Sequence, residues 1–156
     1  MENRPVGRAA VAPAGPTPQK RTEELGAKEA LRLLGTVGLG RIVFTRHALP
    51  AARPVDHLLD DGDIIIRVQD GSTLEALLTA PDNPDVVVAH EADAIDPDTR
   101  LGWSVVATGY ASAVTDPTEL NRYAQLLEPW ADAPSSGAVR IRPGVVTGFR
   151  LRAVNS

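Results

Sequence analysis

Four residues, Asp60-Asp61-Gly62-Asp63, limit what this chain can fold into more than any others. They stand inside the stretch Ala51 to Arg67, between two apolar-rich runs. Turn-forming residues with a glycine able to take a positive φ, flanked by strand formers, predict a tight antiparallel hairpin. Further short turn signals fall at Asp96-Pro97-Asp98 and Pro143-Gly144. Connections this short demand antiparallel neighbours, because a parallel pair needs a crossover of about a dozen residues or more. A doubly wound parallel sheet is thereby excluded.

The other strand signals agree. Arg41-Ile42-Val43-Phe44-Thr45 is strand-like, and Asp85 to Ala92 carries a continuous apolar run. Trp103 to Val114 reads as a long strand with Gly109 marking a bulge. Val139 to Arg142 and Val145 to Val154 read as two final strands separated by Pro143-Gly144. Three helices are expected. The first is capped by Thr22, with Glu23 and Glu24 in its first turn, a stripe of Ala27, Ala30, Leu31 and Leu34, and an end at Gly35. The second runs from Thr73 to Thr79. The third opens at Asp116-Pro117, with Leu120, Tyr123, Ala124 and Leu127 as its stripe. About seven antiparallel strand segments with inserted helices predict a mainly β fold, a small barrel closed on itself.

A length of 156 residues suits one domain that buries about 70% of its unfolded surface. Aromatics make up only 4% of the chain, so the core must be aliphatic and each tryptophan stands out. With no cysteine, disulfides and thiolate chemistry are excluded, and a cytoplasmic setting is expected. A net charge of −4 argues against nucleic acid as a partner. No apolar run approaches the ~20 residues of a membrane span. Met1 to Lys20 holds Pro5, Pro13, Pro16 and Pro18 without apolar periodicity and reads as a disordered tail. The expected organisation is a tail over 1–21 and one domain over 22–156.

Chemistry concentrates beside the hairpin. Arg53 and Arg67 bracket it, and Gln69-Asp70-Gly71-Ser72-Thr73-Leu74 then turns into a helix. A strand end, small turn residues, a helix N-terminus and an upstream arginine suit a phosphate group. Ser72 and Glu75 also fit a capping box, in which the glutamate competes for the same amides. His47, His57 and His90 share no metal-ligand spacing. Nothing resembles a nucleophile–base pair or a glycine-rich nucleotide loop. A chain of this kind that does chemistry needs a cofactor to supply it.

Four segments in order, Gly40 to Thr45, Ala51 to Arg67, Gly71 to Leu74, and Trp103 to Ala111 followed by Val114 to Pro117, resemble the pyridoxamine 5′-phosphate oxidase-like flavin-binding proteins in their small bacterial branch. The likeness spans roughly Glu24 to Leu151. It implies a six-stranded Greek-key split β-barrel that forms a homodimer, with FMN in a groove between the copies. The implied cofactor contacts are Arg53, Pro54, Val55, Asp56 and His57 along the flavin ring. Arg67, Gly71, Ser72, Thr73 and Leu74 would surround the phosphate, and Trp103 and Ser104 would line the groove. Relatives commonly carry a lysine or arginine where this chain has Thr73, and some use a deazaflavin coenzyme or haem in place of FMN. The expected activity is oxidoreduction of a small molecule, and the alternative is a binding module that holds its cofactor without turnover.

Overall fold

The computed structural model describes residues 19–68, 72–80, 86–127 and 137–154. It contains seven strands and three helices: β1 (Lys20–Glu24), α1 (Ala27–Leu34), β2 (Leu39–Arg46), β3 (Leu49–Asp60), β4 (Asp63–Val68), α2 (Thr73–Thr79), β5 (Val86–Ile95), β6 (Gly102–Ala113), α3 (Pro117–Leu126) and β7 (Gly137–Ala153). The strands pair in the order β1-β7-β4-β3-β2-β5-β6, and β6 also pairs with β7. That last pairing joins β7, β4, β3, β2, β5 and β6 into a ring of antiparallel neighbours, the expected barrel. No helix among the described residues is long and apolar enough to cross a membrane.

The hairpin forms as its residues dictate. Asp60 pairs with Asp63, and the two turn residues, Asp61 and Gly62, both take positive φ at 51° and 85°. Two consecutive left-handed residues are the signature of a turn whose twist matches that of the strands it joins. α2 spans its predicted residues, and the Ser72 hydroxyl accepts from the Glu75 backbone N–H at 3.1 Å. α3 starts at Pro117, capped by Asp116. The expected bulge appears as a register shift between Thr108 and Gly109.

Two expectations are corrected. Thr22 does not cap a helix: it lies in β1, paired with Leu151, and α1 begins after Gly26. The Lys20–Glu24 backbone completes the open side of β7, and Arg152 meets Glu23 at 3.2 Å. A ladder of backbone hydrogen bonds outweighs the weak helical preference of five residues. Likewise, the last two strands are one. β7 runs unbroken for 17 residues, because the pairing passes from Gly109–Pro143 to Thr108–Val145 and leaves Gly144 as the extra residue of a bulge. The tail expectation concerns residues of which 1–18 lie outside those described.

The core has two parts. Inside the ring, Ile42, Phe44, Ile64, Ile66, Val105, Ala107 and Ile141 pack with Ala30, Leu33 and Leu34 of α1 and with Leu74 and Leu78 of α2. Each fully buried aliphatic side chain contributes about 1.5–3 kcal/mol relative to exposure. Outside the ring, Ile65, Val114, Tyr123, Leu127 and Ala138 form a second layer between α3 and the barrel wall.

Candidate functional site

The ring is split at one seam. β3 pairs with β4 only from His57 to Asp60, whereas its first eight residues, Leu49 to Asp56, pair with β2 alone. Among the described residues, no strand covers the other edge of that segment. Asp56, one residue before His57, and Arg67, one residue after Ile66, flank the pair that those two form at the end of the β3–β4 ladder. The seam therefore opens beside the arginine that the sequence places at the phosphate corner.

Along the open edge Arg53 is exposed, and its guanidinium donates only to the neighbouring Ala52 carbonyl at 2.9 Å. Pro54 is exposed, while Val55 and Asp56 are half-buried. Arg67 is half-buried and donates to the Leu127 carbonyl at the end of α3. Ser72 and Thr73 are half-buried at the start of α2, and Leu74 is in the core. Gly71 lies outside the described residues. The structure thus brings Arg53, Pro54, Val55, Asp56 and Arg67 to one seam.

It separates three others from that edge. Trp103 points inward, paired with Ala94 and Arg150 and packed in the barrel core. Ser104, next in sequence, faces outward between Asp93 and Phe149. His57 is 3% exposed and turns into the barrel, where it meets a residue that sequence reasoning missed.

That residue is His90. Its Nε2 lies 2.9 Å from Nδ1 of His57, and Nε2 of His57 lies 2.9 Å from the Leu34 carbonyl. A carbonyl only accepts, so His57 carries its proton on Nε2 and His90 must donate from Nε2. Nδ1 of His90 is then a bare acceptor, buried and without a hydrogen-bond partner. Burial pushes the His90 imidazole down to about 3, with His57 adding to the effect, and burial lowers His57 as well. Gly40 makes room for the pair: a Cβ there would lie 2.6 Å from His90 Nε2 and 3.0 Å from His57 Nδ1. The available signal was parity. His90 occupies an inward position between Val88 and Ala92 on the otherwise apolar inner face of its strand.

The outer wall of the barrel carries a second feature. Register aligns Val43, Ala89, Thr108 and Val145 in one row across four strands, and Val87 with Tyr110 and Arg142 in the next. Val87, Tyr110 and Val145 are about 60% exposed (59%, 61% and 62%). On the same wall Arg41 meets Glu91 at 3.4 Å. Glu91 is pushed up to about 7, by burial first and then by its hydrogen bond with Asp93, against the pull of Arg41.

Known proteins resemble this chain in sequence and, where solved, in fold. A Mycobacterium tuberculosis protein, Rv0080, described as uncharacterized, is 46% identical over 140 residues, covering 90% of this chain and 92% of its own. A solved structure described as the FAD binding protein from Mycobacterium smegmatis superposes with a TM-score of 0.62 at 29% identity, over 85% of this chain and 100% of that one. A Corynebacterium diphtheriae structure, described as a conserved protein of unknown function, gives 0.63 at 28% identity over 84% and 98% of the two chains. Residues 26–150 match the family model described as pyridoxamine 5′-phosphate oxidase, and by that match, carried on a split barrel with its open seam beside Arg67, the chain belongs to the pyridoxamine 5′-phosphate oxidase family.

Proposed function

We propose that this chain binds a flavin nucleotide along the open edge of β3 and works as a homodimeric oxidoreductase on a small molecule. The observation that carries the reading is the outer edge of the Leu49–Asp56 segment, which no strand among the described residues covers and which ends beside Arg67. An edge strand offers backbone donors and acceptors at regular spacing, which suits the polar rim of a planar heterocycle. In this reading Arg53 lies along the ring, and Arg67 with Ser72 and Thr73 at the start of α2 would take the phosphate. The donor set therefore fits the group. When bound, a flavin would supply hydride or electron transfer, chemistry that side chains alone do not perform. The M. smegmatis relative, whose whole length is matched and whose description names FAD, supports a flavin and leaves FMN as this chain's preferred form a matter for titration.

The dimer half of the reading rests on the outer wall. Val87, Tyr110 and Val145 form an apolar patch of the kind that marks a contact surface, and a second copy would cover it. A cytoplasmic setting is part of the same proposal.

The experiment is a titration of FMN and FAD into the purified protein, followed by flavin fluorescence and absorption, with sedimentation to give the oligomeric state. Binding by a dimer is expected. A monomer indifferent to millimolar flavin would sink the proposal. One observation favours a second reading, cofactor holding without turnover: Arg67 already donates to the Leu127 carbonyl, and Thr73 adds no positive charge. Bound flavin that reduced nicotinamide never bleaches would select it.

A further inference from the structure

The His57–His90 pair lies in the barrel wall where the seam ends, and its surroundings are apolar. Ile66 of β4 stands opposite His57, and Ile42 of β2 and Ala107 of β6 stand on either side of His90. α1 contributes the Leu34 carbonyl. Of its charged residues, Lys28 is exposed and Glu29 and Arg32 bond to each other on the outside. Asp56 and Glu91 adjoin the two histidines in sequence but fall on the opposite face of their strands by parity. Burial outweighs the Leu34 and Val37 carbonyls and the Asp56 charge, which still favour a charged His57.

This arrangement has room for no additional proton. Placed on Nδ1 of His57, it sets one N–H against another across 2.9 Å and breaks the bond between the rings. Placed on Nδ1 of His90, it creates a buried cation whose N–H has no acceptor. Either product is costly inside a low-dielectric core, and opening to water relieves both.

Opening here has a definite address. His57 also donates its backbone N–H to the Gly38 carbonyl at 2.9 Å, so it ties β3 to α1 through Leu34, to the loop before β2, and to β5 through His90. It is the first residue of β3 paired with β4, and among the described strands everything before it hangs on β2 alone.

We infer that the two histidines are an acid-operated latch on the open edge of β3: uptake of one proton separates the rings, loosens Arg53 to Asp56, and releases whatever that edge holds. Release of a flavin in acid rests on the function proposed above; the latch itself does not.

The test uses the full-length protein without added flavin. Hydrogen exchange of the peptide covering residues 53–57, corrected for intrinsic rates, is compared between about pH 7 and about pH 4.5, where a histidine of ordinary pKa would be charged. Exchange should rise by about tenfold or more in the wild type, as expected for a local opening. His90→Gln supplies an amide that donates to a neutral His57, turns over to accept from a charged one, and does not itself titrate; the rise should vanish. A flat wild-type profile, or an equal rise in H90Q, would overturn the latch. If H90Q does not fold, nitrogen-15 spectra of the wild-type histidine rings decide. Loss of the ordered neutral tautomers together with the onset of exchange supports the latch, and exchange with both rings still neutral overturns it. FMN affinity over the same range addresses release separately. Failure to bind at any pH defeats the function proposed above and leaves the exchange result standing, whereas tight binding to an opened edge defeats release alone.

Discussion

Arg140 donates to the hydroxyl of Tyr123 across 2.8 Å, fixing α3 to the barrel wall. Tyr123 is 1% exposed, and its hydroxyl donates in turn to Asp60 at the hairpin turn. Arg140 also reaches Asp63 at 3.0 Å and Glu119 at 3.2 Å, and Arg122 holds Asp60 at 2.6 Å. One phenol thus ties together the turn that closes β3 on β4, the helix beyond, and the last strand. Tyr123→Phe keeps the ring and removes the shared hydroxyl. It should destabilise the protein by about 1–2 kcal/mol, the usual cost of stranding buried polar partners. For a domain of this size that is a fall in Tm of roughly 2–8 °C, readable by calorimetry.

The β2–β3 connection is strained where the β3–β4 connection is not. His47 and Ala48 take φ of 51° and 62°, and Ala48 is a residue for which the left-handed region is unfavourable. Ala48→Gly should therefore raise stability by about 0.5–1 kcal/mol, while Gly62→Ala at φ 85° should lower it by about 1 kcal/mol. A Cβ at Gly62 meets nothing within 4 Å, so the second change isolates backbone strain. Denaturant midpoints at unchanged slope would show both effects. Equal and opposite results would refute the assignment.

Acid should weaken the fold through the histidine pair. Both imidazoles are held below their ordinary 6.5 in the folded state, His90 down to about 3, so the unfolded chain binds protons first as pH falls. Stability from this source is complete above about pH 6.5 and declines toward pH 3, by up to roughly 1.4 kcal/mol per pH unit for each histidine. Urea unfolding at stepped pH would record the slope. A stability that stays level from pH 7 to about pH 4 would contradict the buried neutral pair.

Gly40 should not tolerate a methyl group. In Gly40→Ala the new Cβ would sit 2.6 Å from the Glu91 carbonyl and the same distance from His90 Nε2. The carbonyl belongs to the ladder between β2 and β5 and has little freedom to retreat. A loss of about 1–3 kcal/mol is expected, as for other overpacked sites. The variant should also disturb the histidine ring signals, and a wild-type ring spectrum would count against this account.

At the seam, Arg53→Ala should weaken FMN binding by about tenfold to a hundredfold, the worth of one charge-assisted contact. Stability should barely change, because the exposed guanidinium touches only the adjacent carbonyl. Fluorescence titration beside a thermal melt separates the two outcomes. Unchanged affinity would remove Arg53 from the site.

What could be read from the residues alone was local. Asp61-Gly62 needs two positive φ angles, and Ser72 caps its own helix three residues on, so both features were placed to the residue. β1 was hidden because its partner, Phe149 to Ala153, comes from the far end of the chain. Pro143 looked like a strand break because a proline lacks the ladder's N–H, yet a bulge one residue later absorbs the irregularity. At the site, the hairpin put Arg53 and Arg67 on neighbouring strands, but the edge left open from Leu49 to Asp56 carried no signal of its own. Trp103 could have been placed inside by its alternation with Val105 and Ala107. The His57–His90 contact could not, since it joins β3 to β5 over Gly40 of the intervening β2 and leaves no spacing signature.

β7 closes the ring on one side against β4 and on the other against β6, and it follows every other described strand in sequence. During synthesis every earlier strand must therefore wait, with the edges of β4 and β6 bare, until residues beyond 137 leave the ribosome. A chain stalled before that point would present two unpaired sheet edges and an uncovered Ile64–Ile66 wall to its surroundings. Closure of the ring is thus held until β7 has emerged, and products truncated before it would be substrates for chaperones and proteases before they could be anything else.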